Sequence, residues 1–362
     1  MADLFDSLSF RCGISAPNRL ALAPLTNTQS HDDGTLGDDE LRWLVRRARG
    51  GFGLTSTCAA SVSAAAKGFA GQLGVFSDAH DAGLARMARE LDAAGTVSIV
   101  QLYHGGARSP RALTGRQPVS SVAAPDAHTN EDAARAMSAA EVEQCVESFV
   151  SAARRAERAG FSGVEVHGAH GYLLCQFLSR NNTREDAWGG SLENRARIVR
   201  KIIQGIRAAC SARFVVGVRL SPEDIGFAVG MDLDESVQCA QWFAEDGVDF
   251  VHLSLWDYTR PSIKRPDENV IALFRAAIAS DVRVFAAGNV WTPDDARAVL
   301  ARGADAVAIG RAAIIEPDWP ILAKGSAWKG QRGPLTVEEL AARDVSAKFA
   351  EYLRRFKNVV RE

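Results

Sequence analysis

Three side chains able to move protons or stabilise charge sit close together in the chain: His167, His170 and Tyr172. They lie in the run VEVHGAHGYLLCQFLSRNNTREDAWGGSLENRAR, Val164 to Arg197. The H-x-x-H spacing raises a metal site. That reading needs a third ligand, usually with a carboxylate, and the run is neither H-E-x-x-H nor inside an expected helix. Two imidazoles leaving one strand end can instead donate together to one substrate oxygen and stabilise charge as it develops there. A phenol of ordinary acidity, pKa about 10, is protonated at neutral pH. It is suited to give a proton to a basic carbon rather than to remove one. The plainer alternative for each of the three is packing beneath a loop.

The elements that must position them repeat. Apolar runs over residues 18–24, 51–60, 96–103, 163–167, 213–220, 250–255, 283–287 and 306–310 read as eight strands. Helical spacing covers 40–49, 78–93, 139–159, 191–209, 233–246, 269–280 and 292–301 between them. Strands that are continuously apolar are covered on both faces, and strict alternation with helices implies a parallel sheet. Eight such units favour closure into a (β/α)8 TIM barrel, and no G-x-G-x-x-G follows the first strand to suggest a dinucleotide fold. A short hairpin around Cys12-Gly13 should precede the barrel. Residues 104–138, rich in Pro, Ala, Gly and Ser, should form a long excursion after strand 3, and residues 337–356 a C-terminal helix. No linker-like composition divides the chain, so residues 1–362 read as one domain.

A barrel of this kind carries its site at the carboxyl ends of the strands. There the sequence places Ala23-Pro24-Leu25-Thr26, Ala59, Gln101, the His167–Tyr172 group, Arg219, Ser254 to Asp257, Gly288-Asn289 and Gly310-Arg311. Glycines after strands 7 and 8, each with a helix close behind, suit a phosphate, and Arg311 adds a fork of donors. Their alternative is a pair of tight turns. An arginine ending an apolar strand, as Arg219 does, needs an anionic or carbonyl-rich partner, or a structural salt bridge. Flavin mononucleotide (FMN) fits a phosphate site with a cation at the barrel mouth. Pyridoxal phosphate would want a lysine at a strand end, and none stands there. A flavin-free phosphate-binding lyase and a flavin-binding protein without turnover remain as alternatives.

The run HGAHGYLLCQFLSRNNTREDAWGGSLENR, with APLT at 23–26, QLYHGGAR at 101–108, VRLSPED at 218–224, and AAGN and AIGR at the barrel's end, resembles the old yellow enzyme family of FMN-dependent ene-reductases. The resemblance runs from Asn18 to Arg311. It implies that Ala23, Pro24, Leu25, Thr26 and Ala59 line the isoalloxazine, with Gln101 on its pyrimidine edge and Arg219 at N1 and O2. Gly288, Asn289, Gly310 and Arg311 would hold the phosphate. His167 and His170 would bind the carbonyl or nitro oxygen of an α,β-unsaturated substrate, and Tyr172 would protonate its α carbon after NADH or NADPH has reduced the flavin. The chain departs from other members in four places. Thr26 and Thr28 stand where some carry Cys and Tyr, Trp188 precedes the GG, and Trp256-Asp257-Tyr258 is bulky enough to narrow the pocket. No cysteine follows Cys239, so the iron–sulfur cluster and added domains of larger relatives are not expected.

Composition narrows the partners. A net charge of −2 gives no reason to expect nucleic acid or an anionic membrane surface. The six cysteines contain no C-x-x-C pair and read as reduced thiols. No basic and apolar leader opens the chain, and no run of ~18 apolar residues occurs. Asn181-Asn182-Thr183 then reads as loop polarity rather than a glycosylation acceptor. A cytoplasmic enzyme with a small-molecule substrate is the expectation, as a monomer or homo-oligomer.

Overall fold

The computed structural model describes residues 3–123 and 133–361. Its eight barrel strands are β1 (Leu20–Leu22), β2 (Leu54–Ser61), β3 (Val97–Tyr103), β4 (Gly163–Gly168), β5 (Val215–Leu220), β6 (Phe250–Ser254), β7 (Arg283–Ala287) and β8 (Ala306–Ile309). They form one closed parallel barrel in chain order. β8 returns to β1 through Val307↔Leu20, Ala308↔Ala21 and Ile309↔Leu22. The main covering helices are α1 (Asp38–Arg49), α2 (Asp81–Ala93), α3 (Ala139–Ala159), α4 (Leu192–Ala209), α5 (Leu233–Asp246), α6 (Val270–Ala277) and α7 (Pro293–Ala301); short α8 (Arg311–Ile315) follows β8. Their starts are set locally. Ser138 opens α3 and Thr292 opens α7, each with its acidic partner, Glu141 and Asp295, in a capping box.

Alternation along the strands fills the barrel in two chemically different layers. Near the strand starts the interior is apolar: Val97, Ile99, Val215, Phe250 and Phe285 are buried together. The expected N-terminal hairpin, Leu8–Ser9 against Ser15–Ala16, joins this layer. Its Phe10 ring lies 6.0 Å from Phe250 and 6.1 Å from Phe285. Gly217 makes room for it, since a Cβ there would sit 2.1–2.4 Å from three carbons of the Phe250 ring. Further along the strands the interior turns polar. Gln101, Glu165, His167, Arg219 and His252 are all buried.

Three expected elements differ. The C-terminal helix over 337–356 is two helices, Val337–Ala341 and Ala347–Leu353, because Asp344 takes φ 57 between them. The excursion over 104–138 is not structureless. It contains turns at Gly106–Arg108 and Arg111–Thr114 and a two-stranded ribbon pairing Val119–Ser120 with Arg135–Ala136, and its remainder, 124–132, lies outside the described residues. The first strand is shorter than 18–24, since Asn18 turns inward: its Oδ1 accepts from the Leu20 and Gly53 amides. All six cysteines are free, and among the described residues no helix is long and apolar enough to cross a membrane.

Arg47 ties the break in the C-terminal region to the barrel. It is fully buried on α1, stacks on Trp43 at 4.5 Å, and donates to the carbonyls of Ala313 (3.1 Å), Ile314 (3.3 Å) and Arg343 (2.7 Å). Burial lowers its pKa to about 9, so it stays charged at neutral pH. It thus holds α8, which begins at Arg311, and the turn before the last helix. Hydrogen bonds from a charged donor are worth about 1.5–3 kcal/mol, and unsatisfied buried carbonyls add to the loss. Arg47→Met is expected to cost at least about 3 kcal/mol in urea unfolding, with the C-terminal segment becoming the first site of limited proteolysis.

Candidate active site

The His167–Tyr172 group is built by the way β4 ends. His167 is the inward residue next to last in the strand, paired in register with Arg219. The chain then turns through His170 at φ 61 and Gly171 at φ 70. A left-handed backbone is costly for a residue with a Cβ, and two bonds hold it. The His170 amide donates to Ser221 Oγ at 3.0 Å, and Arg108 Nη1 donates to the His170 carbonyl at 2.8 Å. The same guanidinium is sandwiched between the Tyr172 ring at 4.5 Å and the Phe227 ring at 4.3 Å. Ring centroids are 5.1 Å apart for His167 and His170, 5.1 Å for His167 and Tyr172, and 4.5 Å for Tyr103 and Tyr172. The three residues are therefore one cluster.

Both imidazoles are neutral. Burial, then the Arg219 charge, pulls His167 down to about 3 and His170 well below its ordinary value. His167 Nδ1 accepts from the Ala169 amide at 3.2 Å, so its proton is on Nε2, free to donate. His170 Nε2 lies 2.6 Å from Ser254 Oγ, which accepts from Arg219 Nη2 at 3.1 Å. One hydroxyl thus links guanidinium and imidazole. Arg219 also donates to the Pro24 carbonyl at 3.4 Å, while its buried Nε has no partner. No carboxylate ion-pairs with it directly among the described residues.

A cavity of about 410 Å³ opens beside this cluster. It brings Ala23, Leu25, His170, Arg219, Gly288, Asn289, Gly310 and Arg311 onto one wall system, together with Trp256, Asp257 and Tyr258. Trp256 is 65% exposed. Tyr258 is tied back, its phenol donating to Asp295 at 2.8 Å, so the bulky triplet lines the cavity without closing it. Pro24, Thr26, Ala59, Gln101, His167 and Tyr172 do not line it. The loop after Thr26 is anchored by buried Glu40, which accepts from Asn27 Nδ2 (3.3 Å) and from Ser30 Oγ. Tyr352, from the last helix, reaches the Thr26 side chain; burial raises its pKa and Thr26 opposes the rise.

At the far end the cavity is cationic. Arg311 and Arg332 both lie over Trp291, at 5.3 and 5.1 Å, and Arg311 Nη2 donates to Asn289 Oδ1 at 3.3 Å. Burial, then the Arg332 charge, lowers the Arg311 pKa. Asn289 takes φ 55, and a Cβ at Gly288 would sit 2.9 Å from the Leu255 carbonyl oxygen. Two like charges beside close-packed backbone, with an unpartnered guanidinium nitrogen at the other end, fit a ligand with a phosphate tail and an electron-rich ring. The residues present therefore fit FMN.

The model of the NADH:flavin oxidoreductase / NADH oxidase family matches residues 3–327. The chain belongs to that family. This is the old yellow enzyme family of the resemblance, so the protein is an NAD(P)H-dependent flavin oxidoreductase with FMN as cofactor. Membership sets aside the flavin-free lyase and the flavin binder without turnover. A probable NADH-dependent flavin oxidoreductase, YqiG of Bacillus subtilis, is 35% identical over 329 residues, 89% of this chain and 87% of that one. The NADH:fumarate oxidoreductase of Klebsiella pneumoniae is 37% identical over 322 residues, but these are 85% of this chain and only 34% of that protein. Among solved structures, the old yellow enzyme homologue from Zymomonas mobilis superposes with a TM-score of 0.81 at 27% identity, covering 94% of this chain and 96% of that one. Morphinone reductase in complex with tetrahydroNAD gives 0.81 at 29%, covering 94% of both.

Sequence reasoning gave no role to four charged or titratable groups. Glu165 and His252 were hidden inside strands that read as continuously apolar; the signal was a Glu two residues before His167. Arg108 stood in a quoted motif without a task. Arg332 follows the barrel and had no signal beyond its charge.

Buried neutral histidines also set an acid limit. His104, whose Nδ1 accepts from the Gly106 amide at 3.0 Å, is pulled down to about 4 by burial alone. Its folded pKa is below the unfolded value of about 6.5, so the unfolded chain binds the extra proton. The stability it contributes is present above pH 6.5 and is lost as pH falls toward 4, at about 1.4 kcal/mol per pH unit. His104→Asn, which keeps an acceptor for Gly106, is expected to flatten the urea-unfolding stability profile by about that slope between pH 6 and 4.5.

Proposed function

We propose that this chain is a single-domain ene-reductase that acts on an activated α,β-unsaturated carbonyl or nitro compound. The observation that carries the reading is the cluster of two neutral imidazoles and a phenol at the edge of a cavity that fits FMN. Ala23, Pro24, Leu25, Thr26, Ala59, Gln101 and Arg219 are assigned to the ring system, and Gly288, Asn289, Gly310 and Arg311, joined by Arg332, to the phosphate. When bound, FMN supplies the hydride chemistry, taking two electrons from NADH or NADPH and passing them to the alkene's β carbon. Every other task falls to the chain.

His167 and His170 receive the carbonyl or nitro oxygen. Neutral donors suit that work, because they stabilise the charge that grows on the oxygen without holding the ground state as tightly as a cation would. Tyr172 gives its proton to the α carbon. Arg108, stacked on the Tyr172 ring, keeps the phenol against Tyr103 and His167. Relatives support an unsaturated substrate: one is an NADH:fumarate oxidoreductase and another an NADH:acrylate oxidoreductase.

Stopped-flow half-reactions test the assignment. Tyr172→Phe is expected to slow reoxidation of the reduced protein by an enone at least ~100-fold, the usual span of general acid catalysis. Reduction by NADPH or NADH should stay within about threefold. Rates unchanged from the parent in both half-reactions would remove Tyr172 as proton donor. His167→Ala and His170→Ala should each weaken binding of a simple phenol, read by the long-wavelength absorbance of the flavin complex; unchanged affinity would count against the pair.

A further inference from the structure

The barrel's polar layer contains two groups that the reading above does not use, Glu165 on β4 and His252 on β6. Both are essentially inaccessible to solvent. Glu165 Oε1 accepts from His252 Nδ1 at 2.7 Å, and Oε2 accepts from Gln101 Nε2 at 2.6 Å. His252 Nε2 is buried without a partner. Strand register puts Glu165 beside Gln101 on one side and beside Gly217 on the other, one inward position before His167 and Arg219. His252 pairs with Arg219 from the far side. A carboxylate and a guanidinium thus share the polar layer of the barrel, with three imidazoles around them.

The carboxylate is ionised in this setting. Burial disfavours its charge, but the charge and hydrogen bond of His252, the Arg219 charge and the Gln101 amide outweigh burial and lower its pKa. Burial, then the Arg219 charge, lowers the His252 pKa, and Glu165 opposes that. Two consequences follow from an acceptor-only group here. The Gln101 amide must turn its NH2 toward Glu165, so its carbonyl oxygen points the other way. And the positive charge of Arg219 has a negative charge set against it.

We infer that Glu165 is a positioning residue for the cofactor: it fixes the polarity of the Gln101 amide and sets how much of the Arg219 charge the bound flavin feels. The inference rests on the FMN reading of the site. A two-electron-reduced flavin is more electron-rich than the oxidised form, so an uncompensated Arg219 stabilises the reduced form more. Glu165 holds that effect down. His252 serves it by saturating the second carboxylate oxygen.

The midpoint potential of the bound flavin, measured by dye equilibration on the holoprotein, tests this. Glu165→Gln keeps shape and removes charge; it is expected to retain FMN and to shift the oxidised-to-reduced equilibrium at least tenfold toward reduced flavin. That corresponds to a potential about 30 mV higher for a two-electron couple. Glu165→Asp, which keeps the charge, should stay within threefold of the parent. Should Glu165→Gln fail to fold, the same substitution in an Arg219→Lys background, which keeps the positive charge, must raise the potential relative to Arg219→Lys alone. A Glu165→Gln protein with FMN bound and an unchanged potential overturns the inference, as does a Glu165→Asp shift equal to that of Gln. Uptake of FMN by the parent protein is measured first, and its absence would overturn the cofactor reading instead.

Discussion

A guanidinium inside a β-barrel is the constraint around which this molecule is arranged. Removing such a charge from water costs several kcal/mol unless partners replace the solvent. Arg219 finds a hydroxyl, a main-chain carbonyl and the field of a buried carboxylate, and leaves one nitrogen unmet. Its charge then dictates the state of its neighbours. It helps keep His167 and His170 neutral, so the paired imidazoles become hydrogen-bond donors and not cations. The apolar layer below, closed by Phe10, Phe250 and Phe285, keeps water from reaching the charge from the other end of the barrel.

The scaffold places these groups with little help from the loops. His167, Arg219 and His252 come from three successive strands and meet because their registers align. Loop residues supply what strands cannot. Arg108, from the segment after β3, reaches across to the turn after β4 and stacks between two rings. Arg47 does similar work outside the barrel, joining α1, α8 and the C-terminal turn through main-chain carbonyls. Both tie together segments far apart in sequence.

The barrel was legible because its signal is collective: eight apolar runs at regular intervals leave few topologies. Glycines after β7 and β8 were legible for a similar reason, as punctuation between a strand and a helix. The inner polar layer was not. In β4 the order Gly163, Val164, Glu165, Val166, His167 alternates with a period of two, but the outward valines make the run read as uniformly apolar. The C-terminal helix was overextended because helical spacing continues through residues 342–346, where a left-handed Asp344 breaks the chain. Arg332 reaches Trp291 through a tertiary contact that no local pattern encodes.

The left-handed turn at His170 limits what the site can become. At φ 61 a β-branched or bulky residue is strained, whereas asparagine and glycine enter that region most readily. Glycine would surrender the donor. Asparagine alone keeps the backbone at ease and still offers an N–H toward the cavity. The pair of donors can therefore drift from two imidazoles to one imidazole and one amide without rebuilding the turn, and such a drift would trade a titratable group for one that is indifferent to acid.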